Sequence, residues 1–282
     1  MRIAITGANG QLGSALCATL APEHDIVTLN ESDFDLGRPD AVAQIVATNA
    51  HLVIHPAAYT NVDGCAQDPL LAYRINGLGT RYVALACRQL DVPLVYISTN
   101  EVFPGTADTP YTEYDPVGPI NPYGQSKWVG EQVVRELLQR FYIVRIAWLF
   151  GGERNFVRTI LRLAANPPAT GLRMVADEIG NPTYAPDLAE AIAHLINLPF
   201  YGTYHFTNSG FCSRYAFAQE IMRQAGYDAV PLTPITLAEY QRASTPPPYT
   251  ALANIAGSAL GITLRPWQEA LAAYLQTLQL QG

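Results

Sequence analysis

In the first half of the chain, short apolar runs alternate with longer stretches of mixed character. Arg2-Ile3-Ala4-Ile5-Thr6, residues 26–29, Leu52-Val53-Ile54-His55, Leu94-Val95-Tyr96-Ile97-Ser98 and Ile143-Val144-Arg145-Ile146-Ala147 are apolar with little alternation. That is the pattern of strands covered on both faces. Between them the spacing predicts helices over 11–20, 39–49 and 69–90, and another opening at the Tyr123 segment. Strand–helix repetition of this kind predicts an α/β fold built on a doubly wound parallel sheet. The second half is less regular. Prolines cluster at Pro167-Pro168 and Pro246-Pro247-Pro248; helices are predicted over 154–165, 187–197, 213–225 and 266–278, and Tyr204-His205-Phe206 as a late strand rejoining the sheet. The expected organisation is a first lobe over 1–150, to which 187–207 returns, and a smaller α/β lobe over 151–186 and 208–282.

Composition narrows the partners. The 282 residues carry a net charge of −7 with no basic block, so neither nucleic acid nor an anionic membrane surface is an expected partner. An anionic ligand must be held locally, by backbone amides and a few arginines. No apolar run approaches the length of a membrane span, and Met1-Arg2 leads directly into a strand without signal-peptide architecture. The four cysteines and five histidines lie far apart, with no metal-ligand spacing. Reduced thiols in the cytoplasm, structural histidines and no catalytic metal are the expectations.

The first strand runs into Thr6-Gly7-Ala8-Asn9-Gly10-Gln11-Leu12-Gly13. Gly7 permits a tight turn, Gly10 lets a pyrophosphate approach the backbone, and Gly13 lets helix and strand pack closely. The helix amino terminus then offers free N–H groups and a favourable dipole to phosphates. The glycine spacing departs by one residue from the general dinucleotide fingerprint. The end of the second strand falls near Asn30, followed by Glu31 and Asp33, where an acid would meet the adenosine ribose; Arg38 is the nearest downstream arginine, and NAD and NADP stay open. Asp35 could accept from an adenine amino group or simply precede the next helix. Small residues in Pro56-Ala57-Ala58-Tyr59-Thr60 and the hydroxyl in Ser98-Thr99-Asn100 should open onto the crevice at the strands' carboxyl ends.

One lysine stands among sixteen arginines, and it is four residues after a tyrosine: Tyr123 and Lys127, in Pro-Tyr-Gly-Gln-Ser-Lys. Residues four apart share a helix face, and lysine brings a compact point charge where arginine brings a flat fork. The expectation is an ammonium beside a phenol, lowering the phenol's pKa towards neutral. Sixteen tyrosines make a chance pair common, so the spacing gains weight only from its context.

With that context, the chain resembles the extended short-chain dehydrogenase/reductase superfamily, and within it the dTDP-4-dehydrorhamnose reductases. The resemblance rests on the glycine turn, Ala57-Ala58-Tyr59-Thr60-Asn61-Val62-Asp63, Ser98 to Gly105, Pro122 to Lys127, Arg145-Ile146-Ala147-Trp148-Leu149-Phe150-Gly151, Asn155-Phe156, Gly180-Asn181-Pro182-Thr183 and Pro266-Trp267-Gln268-Glu269-Ala270. It implies a Rossmann-like fold, NADPH or NADH as cofactor, a nucleotide-sugar substrate, and a monomer or homodimer. It implies Thr99, Tyr123 and Lys127 as the catalytic trio. Gly7, Gly10, Gln11, Leu12, Gly13, Asn30, Asp35, Leu36, Ala57, Ala58, Tyr59 and Ile97 would join Tyr123 and Lys127 in binding the cofactor. Thr99, Asn100 and Trp148 would meet the sugar. Two departures stand out: Thr99-Asn100-Glu101 where the family commonly has Thr-Asp-Tyr, and Gly64-Cys65-Ala66-Gln67 where it often has a glutamate. A nucleotide-sugar epimerase or dehydratase, or a non-catalytic subunit like the regulatory subunit of methionine adenosyltransferase, are the alternatives on this fold.

Overall fold

The computed structural model describes every residue except Asp33, Gln281 and Gly282. Asp33, one of the acids noted after the second strand, therefore lies outside the described residues. The central sheet contains β1 (Arg2–Thr6), β2 (Asp25–Leu29), β3 (Leu52–His55), β4 (Leu94–Thr99), β5 (Phe141–Ile146) and the late strand Gly202–His205. All pair in parallel, in the order β2, β1, β3, β4, β5, Gly202–His205.

The uniform apolarity of these strands follows from burial on both sides. Ile3, Ile5, Val95, Ile97 and Val144 pack against Leu12 and Leu16 of α1 (Gln11–Leu20) and against Leu188 and Ile192 of the helix Ala185–Leu195. Their strand neighbours Ala4, Val53, Leu94, Tyr96 and Ile143 face the other way. They meet Ile45 of α2 (Ala41–Ala47), Val83 and Cys87 of the helix Thr80–Leu90, and Val134 of the helix Pro122–Leu137.

β1 lies between β2 and β3, so the chain changes direction across the sheet at the β1–β3 junction, where doubly wound folds bind ligands. The backbone there is tight. Gly7 has φ +58°, its N–H donates to the Leu29 carbonyl at 2.7 Å, and a Cβ on it would stand 3.1 Å from Ala57.

The predicted single helix over 69–90 is corrected in its middle. α3 (Val62–Gln67) is followed by α4 (Pro69–Ala72), a π-helical stretch over Tyr73–Gly79, and α5 (Thr80–Leu90). Asn76, inside the π segment, takes the Tyr59 N–H at 2.7 Å and donates to the Tyr59 carbonyl at 3.1 Å and to Ser126 Oγ at 2.9 Å. The wider winding presents that side chain to the site, a place where π-bulges recur.

A separate core joins the helices Phe156–Ala165, Arg214–Gln224 and Trp267–Gln279 around Phe150, Val157, Phe217 and Trp267. Three two-stranded pairs border it: Leu172–Val175 with Leu232–Ile235, Ile179–Gly180 with Cys212–Ser213, and Leu149–Phe150 with Thr183–Tyr184. Local pattern could not show them, because each is short and its partner lies far along the chain. Among the described residues no helix is long and apolar enough to cross a membrane.

A methyl group on Gly13 would stand 2.7 Å from Ala8 Cα and collide with the Gly7 carbonyl, whereas one on Gly118 would lie 3.7 Å from its nearest neighbour. Gly13→Ala is therefore expected to cost about 1–3 kcal/mol in urea unfolding, and Gly118→Ala much less.

Candidate active site

The site is built where α6 (Pro122–Leu137) starts against the end of β4. Asn121 is the helix N-cap: its Oδ1 accepts from the Gly124 N–H at 2.8 Å, and Pro122 occupies the first turn. Gly124 is required there, since a Cβ would stand 2.9 Å from the Glu101 carbonyl carbon. Tyr123, Lys127 and Glu131 then follow at four-residue steps along one helix face. Tyr123 is partly exposed, Lys127 is 2% exposed and Glu131 is fully buried.

Thr99 ends β4 and its hydroxyl oxygen accepts from the Glu101 N–H at 3.2 Å, starting the turn Asn100–Val102. The same hydroxyl donates to Asn100 Oδ1 at 3.2 Å, and Thr99 faces the Tyr123 phenol closely enough to ease its ionisation. Thr99, Tyr123 and Lys127 are thus brought together at the carboxyl end of the sheet.

The expected charge effect on the phenol is corrected. Tyr123 is pushed well above the ordinary phenol range, first by burial and then by the Glu101 charge; Thr99 acts the other way. Lys127 is lowered to about 7 by burial, with Glu131 opposing. Its ammonium lies over the Tyr96 ring, 4.3 Å from the centroid, and helps hold His55 neutral with a pKa of about 3. Desolvation penalises phenolate and ammonium alike, and it is the largest influence on both groups. The phenol keeps its proton.

Beneath the lysine lies a buried ionic layer. Glu131 accepts from Arg145 Nε and Nη2 at 2.9 and 2.8 Å, from Arg135 at 2.9 Å and from Ser98 Oγ at 2.6 Å. Those partners, Arg145 first, hold its carboxyl below the usual range against burial.

The residues assigned to the dinucleotide surround the β1–β3 junction, in different ways. Gly10 is the N-cap of α1 without a side-chain cap, and no acid stands in the first turn, so an anion would meet bare amides. Asn30 Oδ1 accepts from the Asn9 N–H at 3.0 Å, Asp35 Oδ1 from the Gly37 N–H at 2.9 Å, and Gly79 packs against Leu36. Ala57, Ala58 and Tyr59 are half-buried beyond β3. Leu12 and Ile97 are packed in the core, at 3% and 5% exposure, so what they offer a ligand is chiefly backbone.

Of the residues expected to meet a sugar, Asn100 is buried and donates to Thr250 Oγ1 at 2.5 Å. Trp148 has φ +38°, a left-handed conformation that a bulky residue adopts only under constraint. Its indole is covered by Arg214 at 3.7 Å from the ring centroid, and Arg214 Nε donates to Glu178 at 2.9 Å. Sequence reading missed Asn76, Asn121, Glu131, Arg145, Glu178 and Arg214. Only Glu131 carried a local signal, as the next four-residue step after Tyr123 and Lys127. Among the described residues no cluster of three or more His, Cys, Asp or Glu could hold a metal ion.

A doubly wound parallel sheet with Thr99, Tyr123 and Lys127 gathered at its carboxyl end defines an NAD(P)-dependent oxidoreductase of the short-chain dehydrogenase/reductase kind. More narrowly, the chain belongs to the family described as RmlD substrate binding domain, whose profile matches residues 1–280. It is 39% identical to the spore coat polysaccharide biosynthesis protein SpsK of Bacillus subtilis, over 98% of this chain and 97% of that protein. A crystal structure of a dTDP-4-dehydrorhamnose reductase from Clostridium acetobutylicum superimposes with a TM-score of 0.93 at 39% identity, covering 99% of this chain and 100% of that one. The dTDP-4-dehydrorhamnose reductase of Bacillus anthracis, solved in complex with NADP, gives 0.93 at 40% identity, covering 98% and 99%.

The depressed Lys127 has a consequence for stability. The unfolded chain holds that proton to about 10.5 and the folded chain only to about 7, so this residue makes folding more favourable as pH rises between those values. The slope is at most about 1.4 kcal/mol per pH unit. Urea unfolding of the ligand-free protein between pH 7 and 9 should show it, and Lys127→Met should remove it.

Proposed function

We propose that this protein reduces the 4-keto group of a nucleotide-linked 6-deoxysugar, dTDP-4-dehydrorhamnose to dTDP-rhamnose, at the expense of NADPH or NADH. The observation that carries the reading is the meeting of Thr99, Tyr123 and Lys127 at the carboxyl end of the sheet, with a phenol that burial keeps protonated. Relatives named for this reaction, similar over nearly the whole chain, support the substrate.

The dinucleotide-binding part is 1–150 with 187–207, and the substrate lobe is 151–186 with 208–282. Gly7, Gly10, Gln11, Leu12 and Gly13 offer backbone to the pyrophosphate. Asn30, Asp35 and Leu36 border the adenosine, and Ala57, Ala58, Tyr59 and Ile97 form the wall towards the nicotinamide. The uncapped start of α1 fits such an anion. When bound, the reduced nicotinamide supplies a hydride to the keto carbon. Tyr123 gives its phenolic proton to the keto oxygen as the C=O π bond opens, so one C–H and one O–H bond form. Thr99 donates to the same oxygen and stabilises the developing alkoxide. Lys127 holds the nicotinamide ribose beside the phenol. Asn100 and Trp148 contact the sugar. The four cysteines are free thiols, which suits a cytoplasmic enzyme.

The test is a panel of 4-keto-6-deoxysugar nucleotides followed at the reduced-nicotinamide absorbance. Stoichiometric nicotinamide oxidation is expected. A tightly retained oxidised cofactor with no net oxidation would mark an epimerase instead, and co-purification with a larger enzyme without turnover a regulatory subunit. Tyr123→Phe should lower kcat about 10²–10⁴-fold and leave dinucleotide binding intact. Lys127→Arg keeps the charge but cannot occupy the compact cavity, and activity should fall with it.

A further inference from the structure

Glu101 is one of the residues at which this chain departs from the pattern it otherwise resembles. It sits in the turn Asn100–Val102 directly after Thr99. Its Oε2 accepts from Asn121 Nδ2 at 2.6 Å, and Asn121 is the residue that caps the helix carrying Tyr123. Asn121 Nδ2 also donates to the Thr245 carbonyl at 3.2 Å. The Glu101 main chain abuts Gly124 so closely that no side chain fits between them. Glu101 therefore touches the catalytic helix twice, at its cap and at its first turn.

The charges facing it are otherwise engaged. Arg214 is paired with Glu178 at 2.9 Å, and Arg242 with Asp63 at 3.0 Å, where Ser244 also donates through N and Oγ. Among the described residues no cation forms an ion pair with Glu101; its nearest polar partner is the neutral Asn121 amide. Burial and Glu178 raise its carboxyl, while Asn121, Arg242 and Arg214 lower it. Its field reaches two groups that can lose protons, Tyr123 and the Cys65 thiol, the latter raised to about 11 chiefly by burial.

We propose that Glu101 is a positioning residue for the reduction: through Asn121 and its main-chain contact with Gly124 it sets the start of the Tyr123 helix, and its carboxylate, on the turn packed against that start, disfavours a second negative charge on the phenol. This rests on the reductase reading and deepens it. A reductase needs its tyrosine protonated when the keto sugar arrives, whereas an enzyme that begins by oxidising an alcohol needs it ionised. A carboxylate on the same turn as Thr99 adds to burial in favouring the first state, and does so most on the alkaline side, where Glu101 is charged.

Two variants separate the roles. E101Q keeps an acceptor oxygen for Asn121 and removes the charge; E101L removes both. Tyrosines labelled with carbon-13 at Cζ report the Tyr123 ionisation without substrate, the resonance being assigned by its loss in Tyr123→Phe. In E101Q the resonance should titrate at lower pH than in wild type with an unchanged melting temperature, and the alkaline fall in turnover should move down with it. E101L should add a drop in kcat with little change in dinucleotide KM, and restoring the acceptor in E101Q should recover most of it. Identical Tyr123 titrations in wild type and E101Q, or wild-type kcat in E101L, would overturn the proposal. If the wild-type enzyme reduces no keto-sugar nucleotide, the reductase reading fails, and the resonance alone decides whether Glu101 holds the proton on Tyr123.

Discussion

The site depends on the buried pair between Glu131 and Arg145. Arg145 stands on β5, Glu131 on the catalytic helix, and Ser98 on β4 completes the link to the strand that ends in Thr99. A buried ion pair is seldom worth much in net stability, because desolvation consumes most of the attraction. Its value here is geometric. The two-pronged contact admits one rotation and one height of the helix on the sheet, and that setting puts Tyr123 and Lys127 over the end of β4. Removing either partner leaves an uncompensated charge in the core, so the arrangement resists drift.

Desolvation is the second organising force. It keeps the proton on Tyr123, draws Lys127 to about 7 and keeps His55 and His205 neutral, both at about 3. The chemistry of the pair is thus set less by attraction between ammonium and phenolate than by the cost of charging either in a dry site. That favours proton donation, the half of acid–base chemistry a ketone reduction requires.

Polar contacts tie the segment 242–250 to the residues around this core. Asn100 reaches Thr250, Asn121 reaches Thr245, and Asp63 gathers Arg242 and Ser244. Trp148, strained at φ +38°, is covered by Arg214.

The local pattern of the chain determined the parallel sheet, its helices and the identity of the residues at the strands' carboxyl ends. Burial on both faces imprints apolar runs of four to six residues, and tight turns demand glycine where Gly7 bends. The sequence also singled out Tyr123 and Lys127, since four-residue spacing on a helix is readable without coordinates, and Thr99, from its place at the end of a strand. Only the folded chain decided what surrounds them. The π winding at Tyr73–Gly79, the paired strands of the second lobe, the core positions of Leu12 and Ile97 and the carboxylates at Glu101 and Glu131 all arise from segments distant in sequence. Electrostatic sign followed from that packing as well. A spacing of four residues says that an ammonium and a phenol share a face, but how far water is excluded from both is a property of the assembled core.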